Sequence, residues 1–158
     1  MLQKKTRQVI TAGLGAASLL IAAPPAHAGC NVQGCEGGGH VLYPPSIGTA
    51  VSGVPGGPIT ATAAWSPHPA NVVQGFIATG YRVLAKRLVP YFDTNTNTTK
   101  WIIVGTTTSA VQPAEARTLS MTLPETGTYA FYVQEMDRYG TSSYSTSYSA
   151  GSNLVKGQ

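Results

Sequence analysis

The stretch Leu123 to Gly140, LPETGTYAFYVQEMDRYG, constrains the fold of this chain more than any other. Tyr129, Phe131 and Val133 alternate with Ala130, Tyr132 and Gln134. A period of two lines up one row of large side chains on one face of a strand, whereas a helix would scatter them around its axis. Pro124 and Gly127 punctuate the entry to this segment and Gly140 the exit. A strand with one apolar face needs neighbouring strands and a second layer to cover that face. The remaining sequence must therefore supply both.

It does so in short runs. Ser46–Gly53 reads as a first, edge strand, bracketed by Pro44, Pro45 and Pro55. Ile59–Trp65 places Ile59, Ala61, Ala63 and Trp65 on one face. Phe76–Lys86 turns Tyr81 and Val83 inward and Arg82 and Lys86 outward. Trp101–Thr106 and Arg117–Leu123 follow, the latter with Leu119, Met121 and Leu123 in a row, and Tyr144–Ser149 is the last. The long stretch Arg87–Lys100 reads as a connection. Seven short strands separated by turn signals predict an all-β fold, a seven-stranded sandwich of two sheets. Its expected core is Trp65, Tyr81, Val83, Leu119, Leu123, Tyr129, Phe131 and Val133.

Four marks in this order resemble the fibronectin type III family over about residues 44–150. They are Trp65-Ser-Pro, Gly80-Tyr81-Arg82-Val83, the Leu123-Pro turn leading to Tyr129, and Phe131-x-Val133. The resemblance implies an immunoglobulin-like sandwich with strands lettered A to G, and a tyrosine corner in which the Tyr129 hydroxyl bonds back to upstream backbone. It also marks a departure. Glu135 stands where the family prefers a small apolar residue, and an unpaired buried carboxylate is costly. The expected remedies are a wetter strand end than usual or pairing with a base such as Arg138 or Arg82.

The N-terminus carries an address. Lys4, Lys5 and Arg7 precede an uncharged run from Val9 to Ala23, and Ala26-His27-Ala28 offers small residues where a signal peptidase reads. The run is shorter than the roughly 20 residues of a membrane span. Residues 1–28 are thus expected to be a cleaved signal peptide, 29–43 a flexible lead, 44–150 the sandwich and 151–158 a flexible tail. Secretion is the expected localisation, with association to the cell surface a variant of it. Cys30 and Cys35 are the only cysteines, and in an exported chain they are expected to close a small disulfide ring. A lipid-modified Cys30 is the alternative, against which His27 stands in the motif. Three of the ten Lys and Arg lie in the leader and none of the six acids does, which leaves seven against six. No basic run remains, so nucleic acid is not an expected partner.

Several motifs invite a function. Leu123-Pro-Glu-Thr-Gly127 spells the sorting signal of wall-anchored surface proteins, but a strand follows it rather than an apolar stretch and basic tail; the same letters make a turn. Asp93-Thr-Asn95-Thr-Asn97 opens like a calcium loop, yet Thr98 and Val104 stand where its Gly and its bidentate Glu belong. No metal or cofactor is expected. No nucleophile elbow or zinc-binding helix is present, and His40 and His68 read as exposed loop residues, so an enzyme is not expected; a small hydrolase is the least favoured reading. The expected role is non-catalytic binding of an extracellular protein or carbohydrate. Tyr91, Phe92, Asp93, Asn95 and Trp101 in the C–C′ loop, with Arg138 and Tyr139 at the F–G turn, are the expected contacts. The alternative is a structural or assembly unit that self-associates along an edge strand such as Ser46–Gly53.

Overall fold

The structure, a computed structural model, describes residues 41–158. The expected leader, most of the Gly-rich lead, His40 and the Cys30–Cys35 ring lie outside the described residues. Ten elements follow in order: β1 Ser46–Ile47, β2 Val51–Ser52, β3 Thr60–Ser66, α1 Pro69–Val73, β4 Ile77–Asp93, β5 Thr98–Thr108, β6 Thr118–Thr122, β7 Gly127–Tyr139, β8 Ser142–Ser145 and β9 Val155–Gly157. The fold is all-β, with every strand pairing antiparallel.

The smaller sheet is built on β3. β6 lies along one edge, with Ala61 opposite Met121 and Ala63 opposite Leu119. β1 and β2 share the other edge, with Ile47 opposite Trp65 and Val51 opposite Thr62. The expected single strand Ser46–Gly53 is thus two pieces. The chain takes four steps from Ile47 to Val51 while β3 takes three, so one residue bulges between them. The larger sheet runs β5-β4-β7, with β8 and β9 both on the outer edge of β7.

The inward rows of the two sheets form one core. Ala61, Ala63, Trp65, Met121 and Leu123 come from the smaller sheet, and Tyr81, Val83, Ala85, Tyr129, Phe131 and Val133 from the larger. The alanines of β3 leave room for the rings opposite, an alternation of small and large that fills a two-layer interior. Trp65 and Tyr81 meet at 5.6 Å between ring centroids, tilted by 50°. The Tyr129 hydroxyl donates to the Glu125 carbonyl at 2.8 Å, tying the turn before β7 to the core. Leu119 is half-buried at the margin and the other seven expected core residues are buried.

The outer edge of β7 is held in an unusual way. Between β8 and β9 the chain buries every third residue: Thr146, Ser149, Ser152 and then Val155. Each hydroxyl residue meets one residue of β7. The backbone N–H groups of Thr146, Ser149 and Ser152 donate to the carbonyls of Glu135, Val133 and Phe131 at 2.9, 2.8 and 2.9 Å. The side-chain oxygens of the same three residues accept from the N–H groups of Glu135, Val133 and Phe131, each at 2.9 Å. A hydroxyl thus replaces the carbonyl that a regular ladder would offer, and three residues cover the span of two. Ser109 does the same for Val83 of β4, at 2.9 and 3.0 Å.

The C-terminus differs from expectation. It is not a frayed tail: β9 pairs with Gly127–Tyr129, and Val155 is buried in the core. Asn153 grips Ala50 through both its N–H and its carbonyl, at 2.7 and 3.1 Å. Gly53 donates to the Lys156 carbonyl. A side chain on Gly53 would stand 2.1 Å from the Thr60 carbonyl oxygen, so glycine is needed at this crossing. The edge expected to invite self-association is therefore partly covered by the chain's own end.

Candidate functional site

The expected C–C′ loop is a hairpin arm. β4 pairs with β7 only as far as Leu88 opposite Thr128, but its pairing with β5 continues to Asp93 opposite Thr98. Residues 89–93 and 98–102 form a two-stranded ribbon beyond the body of the sheet, about 17 Å long at the rise of a strand. Ile, Val, Trp, Tyr, Phe and Thr, all good strand formers, carry pairing almost to the tip, which is why the stretch is not a loop. The tip is a tight turn. Asn97 takes φ 51°, Asn95 N–H donates to Asp93 Oδ1 at 3.0 Å, and Lys100 Nζ binds Asp93 Oδ2. The Lys100 contact, followed by hydrogen bonds from Thr96 and Asn95, holds the Asp93 carboxyl down at about 2. Asp93 is thus spent on the turn.

The arm carries apolar groups on both faces. Tyr91 stands opposite Lys100 and Val89 opposite Ile102; on the other face Phe92 stands opposite Thr99 and Pro90 opposite Trp101. Tyr91 is 52% exposed, Phe92 54%, Ile103 53% and Val104 48%, while Trp101 is half-buried. Exposed apolar residues are ordinary singly; here several stand on or beside one projecting ribbon, with Tyr91 and Phe92 on its opposite faces. β5 is also a sheet edge of 11 residues, with Lys100 its only charge and no proline. One irregularity interrupts it, at Arg87/Leu88, where Val104 is the extra residue.

The expected F–G contacts stand elsewhere. Ile77 at the start of β4 faces Arg138, and Asp93 at its end closes the arm. Sixteen steps along a strand make roughly 50 Å, so Arg138 and Tyr139 cannot share one small ligand with Tyr91 and Phe92. Arg138 is exposed, and Tyr139 packs its ring 5.4 Å from that of Phe76.

That same end hides the feature sequence reasoning misjudged. The inward row Tyr129, Phe131, Val133 continues to Glu135 and Asp137, each 1% exposed. Neither expected arginine reaches Glu135: Arg82 lies opposite Gln134 on the other face, and Arg138 is exposed. Glu135 instead neighbours Asp137. Burial, then the Asp137 charge and a hydrogen bond shared with it, push the Glu135 carboxyl up to about 7, against the pull of the Asn71 side chain and His68 backbone. Asp137 is raised too, by burial. The Tyr81 phenol opposite is pushed up to about 12, by burial first and Glu135 second, with Arg117 opposing. A signal for the pair was present, since the period-two count from Tyr129 reaches both acids.

His68 is not an exposed loop residue either. It is the half-buried N-cap of α1, its Nδ1 accepting from Ala70 N–H at 3.2 Å, and its ring stacks on Tyr43 at 4.6 Å. Among the described residues no three His, Cys, Asp or Glu side chains gather as a metal site needs, and no helix is long and apolar enough to cross a membrane. An open groove lined by Val51–Pro58, Thr60, Thr62 and Ser120 carries no charged group. No protein-family model, curated protein or solved structure matches the chain.

Proposed function

We propose that this chain is an exported sandwich of the fibronectin type III type that works as a non-catalytic binding module outside the cell. The hairpin arm is its contact surface. The observation that carries the reading is the arm itself, a ribbon with exposed Tyr91, Phe92 and Ile102 that has no third strand beside it among the described residues. Tyr and Phe offer large, stiff contact area at little entropic cost, and a flat apolar ribbon suits a protein or the face of a carbohydrate. Support for the family comes from three places. β1 with β2, and β8 with β9, each count as one interrupted strand, which makes seven. The order β5-β4-β7-β8 faces β1/β2-β3-β6. The Tyr129 hydroxyl binds Glu125 as a tyrosine corner does. The signal-like residues 1–28 would deliver the domain, and the Cys30–Cys35 ring would precede it.

The test is retention of the purified protein on cell-wall polymer, glycan arrays and exported proteins. Tyr91→Ala with Phe92→Ala is expected to lower retention at least tenfold with an unchanged melting temperature, while Arg138→Ala is expected to leave it intact. Equal retention by the arm variant and the parent would remove the arm from the proposal.

A second reading, an assembly unit, is favoured by one observation: the β5 edge is open and uncharged from Trp101 to Thr108. Self-association through it predicts a dimer in light scattering that Ile103→Lys dissolves.

A further inference from the structure

Residues 41–43 are bound to the domain by side chains rather than by a strand. Val41 N–H donates to Gln74 Oε1 at 2.8 Å, and Gln74 Nε2 donates back to the Val41 carbonyl at 2.9 Å. Tyr43 N–H donates to Asn71 Oδ1 at 2.9 Å, and Asn71 Nδ2 returns a bond to the Tyr43 carbonyl at 2.9 Å. Residues two apart on an extended chain present their N–H and C=O groups to the same side. Side chains three apart on a helical turn are neighbours. Each carboxamide has one acceptor and a donor pair, so Asn71 and Gln74 imitate two residues of a partner strand. The His68 ring stacked on Tyr43 completes the clamp.

The clamp stands on the acid pair. Asn71 is fully buried, and its side chain and the His68 backbone are the groups hydrogen-bonded to Glu135. Asn71 therefore touches the strap on one side and the carboxyl on the other. Ionised carboxylates have no proton to offer each other. Among the described residues Glu135 Oε2 and both Asp137 oxygens lack any other hydrogen-bond partner. A single proton held by Glu135 and directed at Asp137 gives two of these oxygens a partner and leaves one net charge between them.

We propose that Glu135 and Asp137 form a proton-operated latch beneath helix α1 that fastens Val41–Tyr43 to the domain. With the proton in place the pair stays dry under Asn71 and the clamp is shut. When the proton leaves, two buried carboxylates face each other with no cation against them. The charged groups around them do not offset this. Tyr81 lies on β4, and Arg117, before β6, sits over the Tyr81 ring and donates to the Ala114 and Ala116 carbonyls. Hydration relieves the pair, and water enters by lifting Asn71, which releases Tyr43.

The sign follows from the carboxyl. In the open state Glu135 is wet and ordinary, ionising near 4.5; in the shut state it ionises near 7. The latch is therefore fully stable below about 4.5, weakens as pH rises from there to about 7, and changes no further above that. One proton limits the fall to about tenfold per pH unit.

Amide hydrogen exchange at Val41 and Tyr43, corrected for intrinsic rate, reads the latch directly between pH 4.5 and 8. Tyr43 protection is expected to fall at least tenfold from pH 5 to 7.5 and then level, at faster exchange than Val133 throughout. Glu135→Gln is expected to flatten the profile. Asp137→Asn, which removes the neighbouring charge, is expected to shrink the fall, and it decides the matter if the first variant does not fold. His68→Asn keeps the cap acceptor and is expected to retain the fall, which separates the pair from the nearby imidazole. A flat wild-type profile, a wild-type profile in Asp137→Asn, or a flat one in His68→Asn overturns the latch.

Discussion

Replacing Ser149 by Ala tests the way the outer edge of β7 is held. Ser149 is 5% exposed and Val133, its partner, is fully buried. The hydroxyl accepts from Val133 N–H at 2.9 Å and donates to the Ala150 carbonyl at 2.8 Å. The backbone bond from Ser149 N–H to the Val133 carbonyl survives the change. What is lost is the sole acceptor for a buried N–H, and an orphaned donor of that kind costs about 1–3 kcal/mol. The exposed Ala150 carbonyl is re-solvated at little cost. Taking about 2 kcal/mol, and a urea slope of about 2 kcal/mol/M for a domain of this size, the midpoint is expected to fall by about 1 M with the slope unchanged. Ser149→Thr keeps an oxygen and is expected to cost less. Ser147→Ala, at an exposed position of the same triplet, is the control and is expected to be silent. A Ser149→Ala midpoint within 0.2 M of the parent, a margin of about 0.4 kcal/mol on the same slope, would refute the claim that a hydroxyl replaces a ladder carbonyl here.

Three further outcomes are expected. Stability has a maximum in mild acid: it falls as pH rises from about 4.5 to 7, because the raised Glu135 carboxyl favours the protonated fold. It also falls as pH drops from about 4 toward 2, where Asp93 loses its lysine; thermal melts from pH 2 to 8 check both limbs. Tyr129→Phe removes the bond to the Glu125 carbonyl and is expected to cost about 1–2 kcal/mol in chemical denaturation, whereas Glu125→Gln, at the exposed ion pair with Arg87, is expected to change stability by under about 1 kcal/mol. Deletion of residues 154–158 removes buried Val155 and β9, and a loss of roughly 2–4 kcal/mol is expected; a silent deletion would restore the frayed tail.

The core was readable because alternation is strict where one face is buried. Tyr129, Phe131, Val133, Ala61, Ala63 and Trp65 all fall on the inward row that their spacing predicts. Beyond Trp101 and Ile102, which were read as strand, the arm was not readable as strand because its apolar residues cover both faces, so no alternation marks it. The tail escaped for a different reason. Its inward residues recur every third position, a rhythm that matches neither strand nor helix and becomes meaningful only beside β7. Glu135 was placed at the end of the strand, but Asp137 reads from sequence as part of the following turn, so their partnership could not be found by looking for an arginine. A buried acid is satisfied as well by a proton as by a cation, and only the solvent exclusion around the pair decides which.

The crimped stretch from Thr146 to Ser152 has a consequence for crowding. Only one residue in three is tied to β7, so the outward side of that stretch offers a newcomer no regular row of donors and acceptors. The opposite flank, along β5, is interrupted only at Val104 and carries no further strand among the described residues. A further strand would therefore find a regular edge at β5 rather than along Thr146–Ser152.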